Sequence, residues 1–440
     1  MKQKSWLDRS LSIFTEVRAG EGVSALLMAA NVFYLLAFYS VLKVVRDALI
    51  LSESGAVVAS YASAGMALLL LFFVPLYGAF ASRVNRLWLV CGVTVFFASH
   101  LVIFYLIGSS GVRIGVAFYL WIGVFNMVAV AQFWAFANDV YSSERGKRLF
   151  PILGMGANLG AFVGAGFATV AFGGFGAYSL MLLAAAGLMV PVGLTIWVNM
   201  RERTVGHDLT TAEVERPIGG PGGFELVLKD RYLLLIACLV LVFSLVNTLG
   251  GFMLSSLITQ EAAIRFPGPE VAAQRQAFIG TTSGTVQTWV NLLAFLLQAF
   301  AVSRIFKHIG VRGALFILPV IALGSYAMIA LLPVLGVIRW TKVLENGTDY
   351  SIQNTTRHAL FLPTSRAAKY KAKQAIDSFF VRFGDLLQAA VVFIGVQLAF
   401  GVRAFALVNL ALVALWLWIV FAIAREHKKL VPEDVAKDAA

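Results

Sequence analysis

The chain has 440 residues and a formal net charge of +12; 60% of its residues are hydrophobic, 13% are charged, and its mean hydropathy is +0.83. Soluble domains are about 45–50% apolar and about 25% charged, so this composition excludes a soluble globular enzyme. A helix needs about 20 apolar residues to cross a bilayer, so twelve helices would occupy roughly 240 residues and leave no room for a large soluble domain. The sequence therefore predicts a polytopic helical membrane protein.

Twelve apolar runs follow one another along the chain. They cover approximately residues 26–51, 57–81, 88–108, 115–139, 150–172, 176–199, 232–258, 284–303, 313–334, 336–358, 378–400 and 404–424. The long polar connector 200–231 divides them six and six, as expected for a transporter built from two parallel repeats. We therefore predict an all-α membrane protein whose parts are an amphipathic tail (1–24), a six-helix bundle (25–199), the connector (200–231), a second six-helix bundle (232–424) and a tail (425–440).

The basic residues are distributed unevenly between alternate connectors. With twelve helices, 26 Lys and Arg residues fall in the tails and connectors of one side and only 4 fall on the other. Because cytoplasmic loops carry the excess of Lys and Arg, both termini are predicted to be cytoplasmic, with the chain in a bacterial inner membrane. The net charge is then explained by these loops and by contact with anionic lipids, and no nucleic-acid partner is expected.

The first apolar run contains three ionisable residues on one helical face. Lys43, Arg46 and Asp47 are spaced i, i+3, i+4, and Tyr39 lies one turn before Lys43. An ionised side chain near the centre of a membrane helix costs about 2.5–3.5 kcal/mol, so such residues usually pair or line a wet cavity. Asp47 can neutralise one cation and leave one positive charge for an anion. The alternative is a structural ion pair with snorkelling side chains.

Two later runs also contain charged residues. The tenth run has Arg339, Lys342, Glu345 and Asp349, whose spacing of 3, 3 and 4 places them in one stripe. The eleventh run has Arg382 and Asp385, spaced i, i+3, which could pair with each other or with the tenth-run stripe. We interpret both groups as parts of a substrate site, and purely structural ion pairs remain the alternative.

A glycine-rich segment opens the fifth apolar run. Gly156, Gly160 and Gly164 recur at every fourth residue. The segment lacks the Gly-Lys-Ser/Thr ending of a phosphate-binding loop. The four-residue spacing instead predicts the close approach of two helices.

The fourth apolar run ends at Asp139, shortly before the basic residues Arg145 and Arg148. Asp139 and Arg148 could form a cytoplasmic gate, and an ordinary charge at a helix end is the alternative for Asp139. Elsewhere the sequence contains no nucleophile–base pair or metal-ligand spacing, and Cys91 and Cys238 lie in separate apolar runs. We therefore expect neither an enzyme nor a bound metal or cofactor.

Several segments in both halves resemble motifs of the ATP/ADP translocases of plastids and intracellular bacteria. The first is Tyr-Ser-Val-Leu-Lys-Val-Val-Arg-Asp-Ala-Leu at 39–49, and the others lie at 133–140, 147–158, 371–377 and 382–384. The resemblance implies a fold of the major facilitator type and exchange of nucleotides across a membrane.

The charged positions of that family are only partly retained. The lysine that the family needs in its first helix corresponds to Arg46, and the lysine of its eleventh helix corresponds to Asp385. The family glutamate of the fourth helix falls near Tyr119 or Ile122, where no acid is present. The resemblance therefore implies the fold more firmly than the substrate.

Together these features predict a secondary active transporter that moves an anionic organic phosphate, foremost a nucleotide in ATP/ADP-type exchange, by alternating access. A proton-coupled carrier of another solute, such as a lipid or cell-wall precursor, is the alternative. The expected partners are the small anion and membrane lipids, and a monomer is expected. Binding of the anion is assigned to Tyr39, Lys43, Arg46, Lys342 and Arg382, and pairing or coupling to the carboxylates of Asp47, Glu345, Asp349 and Asp385.

Overall fold

A computed structural model describes residues 5–12, 17–81, 84–141, 143–204, 222–365 and 368–430, and all regular structure in these ranges is helical. In chain order the α-helices are α1 Trp6–Leu11, α2 Gly22–Glu53, α3 Gly55–Ala81, α4 Arg86–Ser109, α5 Gly115–Val140, α6 Ser143–Gly187, α7 Met189–Thr204, α8 Gly223–Lys229, α9 Arg231–Arg265, α10 Ala272–Leu296, α11 Val302–Leu331, α12 Leu335–Thr348, α13 Asn354–Ala359, α14 Lys373–Ala375, α15 Val381–Gln397 and α16 Val402–Leu430. Four π-helical segments cover Leu297–Ala301, Asp349–Gln353, Ala368–Ala372 and Ile376–Phe380.

Nine stretches of the described residues are long and apolar enough to cross a membrane, which confirms the predicted class of helical membrane protein. Two of them are far longer than one crossing requires. Arg148–Glu202 has 55 residues and Ala272–Ala314 has 43, whereas a bilayer core of about 30 Å is spanned by about 20 residues. Both stretches contain a non-helical glycine with positive φ, Gly176 (φ 71°) and Gly310 (φ 66°). Gly176 interrupts the first stretch near its middle, whereas Gly310 lies four residues before the end of the second.

The helices belong to two compact units. Unit 1 comprises Met1–Glu53, Phe72–Arg216 and Gly268–Asn291, and unit 2 comprises Ser54–Leu71, Pro217–Pro267 and Leu292–Ala440. Unit 1 thus includes most of α10, and unit 2 includes the first part of α3. Parts of the predicted tails and connector, namely residues 1–4, 13–16, 205–221 and 431–440, lie outside the described residues.

In unit 1, the glycine-rich face of α6 packs directly against α2. A Cβ atom built at Gly160 would lie 2.2 Å from the carbonyl oxygen of Phe33, a distance that no real Cβ atom tolerates. The paired positions are Gly156 with Ala29, Gly160 with Phe33 and Gly164 with Ala37. This contact confirms the predicted helix packing, and it identifies α2, which carries Lys43 and Arg46, as the partner.

The predicted amphipathic tail contains the short helix α1, which is tied to the start of α2 by one carboxylate. Asp8 is 1% exposed, and its carboxylate accepts hydrogen bonds from the backbone N–H groups of Gly20 (3.1 Å), Gly22 (2.9 Å) and Ser5 (2.9 Å). The carboxylate thereby satisfies the backbone N–H of Gly22, which the first turn of α2 leaves open, and those of Gly20 and Ser5 outside that helix. Trp6 is exposed on α1, and Val17 is buried in the core of unit 1.

In unit 2, α9 is the helix around which the charged segments are arranged. It is buried along most of its length and contacts α12, α15 and α16. Its N-terminus is capped by Asp230, whose carboxylate accepts hydrogen bonds from the backbone N–H groups of Tyr232 and Leu233. Lys342 of α12 and Asp385 of α15 each form a hydrogen bond with a polar side chain of α9, a helix whose own charged residues lie only near its ends.

Candidate functional site

The three ionisable residues of α2 take part in two separate interactions. Arg46 donates two hydrogen bonds to one carboxylate oxygen of Asp47, from Nε at 2.9 Å and from Nη2 at 2.6 Å. Its guanidinium group also lies over the ring of Tyr119, 4.7 Å from the ring centroid. Lys43 instead donates from Nζ to Oε1 of Gln287 on α10, at 3.0 Å. The carboxylate of Asp47 therefore neutralises Arg46, and Lys43 has a neutral partner.

These side chains are half-buried and not fully enclosed. The exposed fractions of the Arg46 and Asp47 side chains are 18% and 20%. Tyr39, one turn before Lys43, has its ring centroid 6.3 Å from that of Phe125. Two cations and one anion give this part of α2 a net charge of +1.

On α12, Lys342 and Glu345 form a closed ion pair. Lys342 Nζ lies 3.2 Å from Glu345 Oε2, and each side chain is only 1% exposed. Lys342 also donates to Asn247 Oδ1 at 2.8 Å, and the hydroxyl of Tyr326 donates to the Glu345 carboxylate at 3.0 Å. Gly250 on α9 makes room for the pair, because a Cβ atom there would lie 2.2 Å from the Tyr326 hydroxyl oxygen. In this conformation Lys342 is enclosed by protein groups.

The other two charged residues of the tenth-run stripe have different surroundings. Arg339 is half-buried, with its guanidinium carbon 5.4 Å from the ring centroid of Trp340. Asp349 is 9% exposed and begins the π-helical segment Asp349–Gln353. Further along, Gln353 is 1% exposed and its Oε1 has no hydrogen-bond partner among the described residues. A π-helical turn changes the helical register and is common at functional sites.

On α15, Asp385 is held by three donors. Its carboxylate accepts hydrogen bonds from Thr248 Oγ1 (3.0 Å), Ser244 Oγ (3.2 Å) and Arg382 Nη1 (3.3 Å). The predicted pairing of Arg382 with Asp385 within the helix is therefore present. The side chain of Arg382 is 41% exposed, whereas that of Asp385 is 11% exposed. Arg382 is thus the more exposed partner of the pair, while Asp385 is attached to α9.

Sequence reasoning missed the two hydroxyl residues that fix Asp385. Ser244 and Thr248 are spaced i, i+4 on α9, so they share one face of an otherwise apolar helix. Two hydroxyl residues on one face of an apolar helix could have indicated a polar contact at that face. Asn247, the partner of Lys342, lies in the same short segment.

The basic residues after α5 form a network with two acids that were not predicted. Arg148 donates to both carboxylate oxygens of Glu21, at 2.9 and 3.0 Å. Arg145 lies 3.4 Å from Glu21 and 3.3 Å from Glu202 of α7. Burial raises the pKa of Glu21, but the hydrogen bond and charge of Arg148 outweigh it and lower the pKa overall. Asp139, the other predicted gate residue, is half-buried one residue before the end of α5.

Comparison with known proteins gives consistent matches. Residues 305–427 match the family described as TLC ATP/ADP transporter. The chain is 24% identical over 308 residues to an ADP,ATP carrier protein 1 of Chlamydia muridarum, covering 61% of this chain and 56% of that protein. It is 22% identical over 347 residues to the chloroplastic ADP,ATP carrier protein 2 of Arabidopsis thaliana, covering 70% and 54%. The matched part therefore spans little more than half of each relative.

Solved structures show the same fold at low sequence identity. The nucleoside transporter NupG matches with a TM-score of 0.60 at 12% identity, covering 92% of this chain and 99% of that one. A bacterial homologue of the iron transporter ferroportin, in an inward-facing state, matches with a TM-score of 0.61 at 13% identity, covering 91% and 98%. The chain is therefore similar to ATP/ADP transporters, most directly over residues 305–427, and it shares the fold of these solved transporters.

Proposed function

We propose that the chain is a secondary active transporter that exchanges nucleotides, or closely related organic phosphates, across the bacterial inner membrane by alternating access. The observation that carries the proposal is the charge balance on α2. Lys43 is a half-buried lysine in a membrane helix whose described hydrogen-bond partner is an amide, while the nearby carboxylate pairs with Arg46. A phosphate group would supply the missing negative charge. The similarity to proteins named ADP,ATP carriers supports the substrate class.

We assign roles to the charged residues on the basis of their exposure. Lys43 and Arg46, with Tyr39 beside them, are the proposed anion-binding residues of unit 1. Arg382 is separately proposed as an anion-binding residue of unit 2. Asp47 and Asp385 hold Arg46 and Arg382 in place in the absence of the anion. Lys342, Glu345 and Asp349 are more deeply buried, so Lys342 would reach an anion only after its ion pair with Glu345 opens.

We further propose twelve membrane crossings with both termini in the cytoplasm. One further crossing is assigned to the residues after Gly176 in the stretch Arg148–Glu202, and one to the part of α11 that follows Gly310 and ends at Leu331. Another crossing is assigned to residues 335–359, which comprise α12, a π-helical segment and α13 and are not among the nine spans. The excess of Lys and Arg in alternate connectors supports this orientation.

A proton-coupled carrier of another solute is the second candidate. It is favoured by the carboxylates inside the membrane helices of unit 2, because Glu345 and Asp385 both accept hydrogen bonds from neutral hydroxyl groups. Such carboxylates mark proton pathways in many transporters.

A ligand screen on the purified chain separates the two candidates. The melting temperature Tm is measured with ATP, ADP, AMP, sugar phosphates, lipid-linked cell-wall precursors and the uncharged nucleoside adenosine. Because a ligand stabilises the folded state that binds it, ADP and ATP are expected to raise Tm and adenosine is not. Stabilisation by lipid precursors alone, or equally by adenosine, would exclude a nucleotide anion site.

A further inference from the structure

The hydrogen bond between Lys43 and Gln287 joins residues that are 244 positions apart in the sequence. Lys43 Nζ lies 3.0 Å from Gln287 Oε1, and α2 and this part of α10 belong to the same unit. The carboxylate nearest in sequence, Asp47, is occupied by two N–H groups of Arg46. No carboxylate of the described residues lies within ion-pair distance of Lys43. An uncharged amide therefore occupies the position where a carboxylate would neutralise the lysine.

The position of Gln287 is fixed by the packing of α10. Asn291 Nδ2 donates to the carbonyl oxygen of Ala161 at 3.0 Å, and Gln276 Nε2 donates to Ser52 Oγ at 3.2 Å. Between these two contacts, a Cβ atom at Gly284 would lie 2.5 Å from Thr169 Oγ1. These contacts attach α10 to both α2 and α6. Gln287 is therefore held in register beside Lys43.

The chemistry of an amide suits this position. A lysine ammonium group has three N–H donors and no acceptor. One donor is used by Gln287, which orients the ammonium group without removing its charge. The remaining donors and the full positive charge stay available for an anion. A glutamate of nearly the same shape at position 287 would instead form an ion pair with Lys43 and compete with any bound anion.

We propose that Gln287 is a specificity-determining residue of the α2 anion site, formed by Tyr39, Lys43 and Arg46. Gln287 holds Lys43 through a neutral acceptor, so that the charge of Lys43 selects a phosphate-bearing substrate. This inference rests on the proposed function. It adds a residue of α10 to the site and predicts that the difference between an amide and a carboxylate at position 287 decides whether the site binds anions.

The first test measures ADP binding to the purified full chain by calorimetry. Gln287→Glu is expected to weaken binding at least tenfold, because the new carboxylate neutralises Lys43. Gln287→Leu removes the acceptor but keeps the charge of Lys43, so a weaker loss of about threefold is expected. Gln276→Glu is the matched control, because Gln276 is also a half-buried glutamine on α10 that contacts α2, but through Ser52. Equal affinity of Gln287→Glu and wild type would overturn the proposal.

A second measurement needs no ligand and keeps this inference separate from the proposed function. The Tm is compared for wild type, Gln287→Glu, Lys43→Met and the double variant. Gln287→Glu is expected to raise Tm by a few degrees when Lys43 is present and to lower it in the Lys43→Met background, where the carboxylate has no cation. The same effect of Gln287→Glu in both backgrounds would contradict the contact. If wild type binds no nucleotide but this coupling is observed, the proposed substrate is wrong and the role of Gln287 stands.

Discussion

Lys342 and Glu345 form an ion pair at 3.2 Å in which each side chain is only 1% exposed, and both residues belong to unit 2. Asn247 of α9 and Tyr326 of α11 complete the hydrogen bonds of the two charges. Burial of an ion pair removes two charges from water, and the cost is offset only where the remaining donors and acceptors are satisfied. The pair therefore joins α9, α11 and α12 and stabilises them as long as both partners are present.

Removal of one partner should be much more harmful than removal of both. Lys342→Met leaves the Glu345 carboxylate buried without its cation, and we expect it to lower the free energy of unfolding by about 3–5 kcal/mol. Lys342→Met combined with Glu345→Gln should recover a large part of that loss. Urea or thermal unfolding of the detergent-solubilised protein measures the effect. Wild-type stability of the single variant would show that the pair is not enclosed as described.

The contact between α6 and α2 predicts a strong difference between two glycines of the same helix. A Cβ atom at Gly160 would lie 2.2 Å from the backbone oxygen of Phe33, whereas a Cβ atom at Gly154 would meet nothing within 4 Å. We expect Gly160→Ala to destabilise the protein by about 1–3 kcal/mol through overpacking. Gly154→Ala should be neutral or stabilise it by up to about 1 kcal/mol. Equal Tm values for the two variants would contradict the packing.

The carboxylate of Asp8 predicts a specific dependence of stability on pH. Burial raises its pKa, but the hydrogen bonds from Gly20, Ser5 and Gly22 outweigh this and lower the pKa from 3.8 to about 2. A group with a lowered pKa stabilises the folded state fully above its unfolded pKa and loses that contribution as the pH falls through the folded pKa. Asp8→Asn should therefore lower Tm by the same amount from pH 7 down to about 4.

Below that range the Tm difference between wild type and Asp8→Asn should shrink as the pH is lowered toward 2. The measurement is a series of melting curves of both proteins in detergent over that pH range. A difference that already disappears near pH 5 would show that the carboxylate does not hold the start of α2 in the way described.

The orientation of the chain can be tested by reporter fusions. If the excess of Lys and Arg reflects a cytoplasmic side, reporters fused after Ala440 and within residues 200–231 should both report the cytoplasm. A reporter placed between α9 and α10, at residues 266–271, should report the opposite side. A cytoplasmic signal from that third position would exclude the proposed arrangement of crossings.

The sequence predicted those features that depend only on residues close together in the chain. Apolar length predicted the membrane helices, and the i, i+4 spacing of Gly156, Gly160 and Gly164 predicted close helix packing, because both depend only on the period of an α-helix. The pairing of Arg382 with Asp385 could be predicted for the same reason. The helical period does not show which unit α10 belongs to, nor that α10 contacts α2.

The partners of the predicted charges depend on packing between distant helices. Spacing within α2 could not show that Lys43 contacts Gln287, since 244 residues separate them. The enclosure of Lys342 required Gly250, Asn247 and Tyr326 to meet it from two other helices. The charged residues of the membrane helices could therefore be named from the sequence. Their accessibility to a ligand could not be predicted, because it depends on contacts between distant helices.

Exchange of nucleotides by way of Lys43 is the central claim, and counterflow in sealed proteoliposomes tests it most directly. Vesicles containing the purified chain are loaded with unlabelled ATP, and the entry of labelled ADP is followed for wild type, Lys43→Gln and Lys429→Gln. Lys429 is an exposed lysine paired with Glu426, and its loss removes the same charge away from the α2 site. We predict transient accumulation of ADP for wild type and Lys429→Gln and at least tenfold slower entry for Lys43→Gln. No accumulation by wild type, or equal accumulation by Lys43→Gln, would contradict the claim.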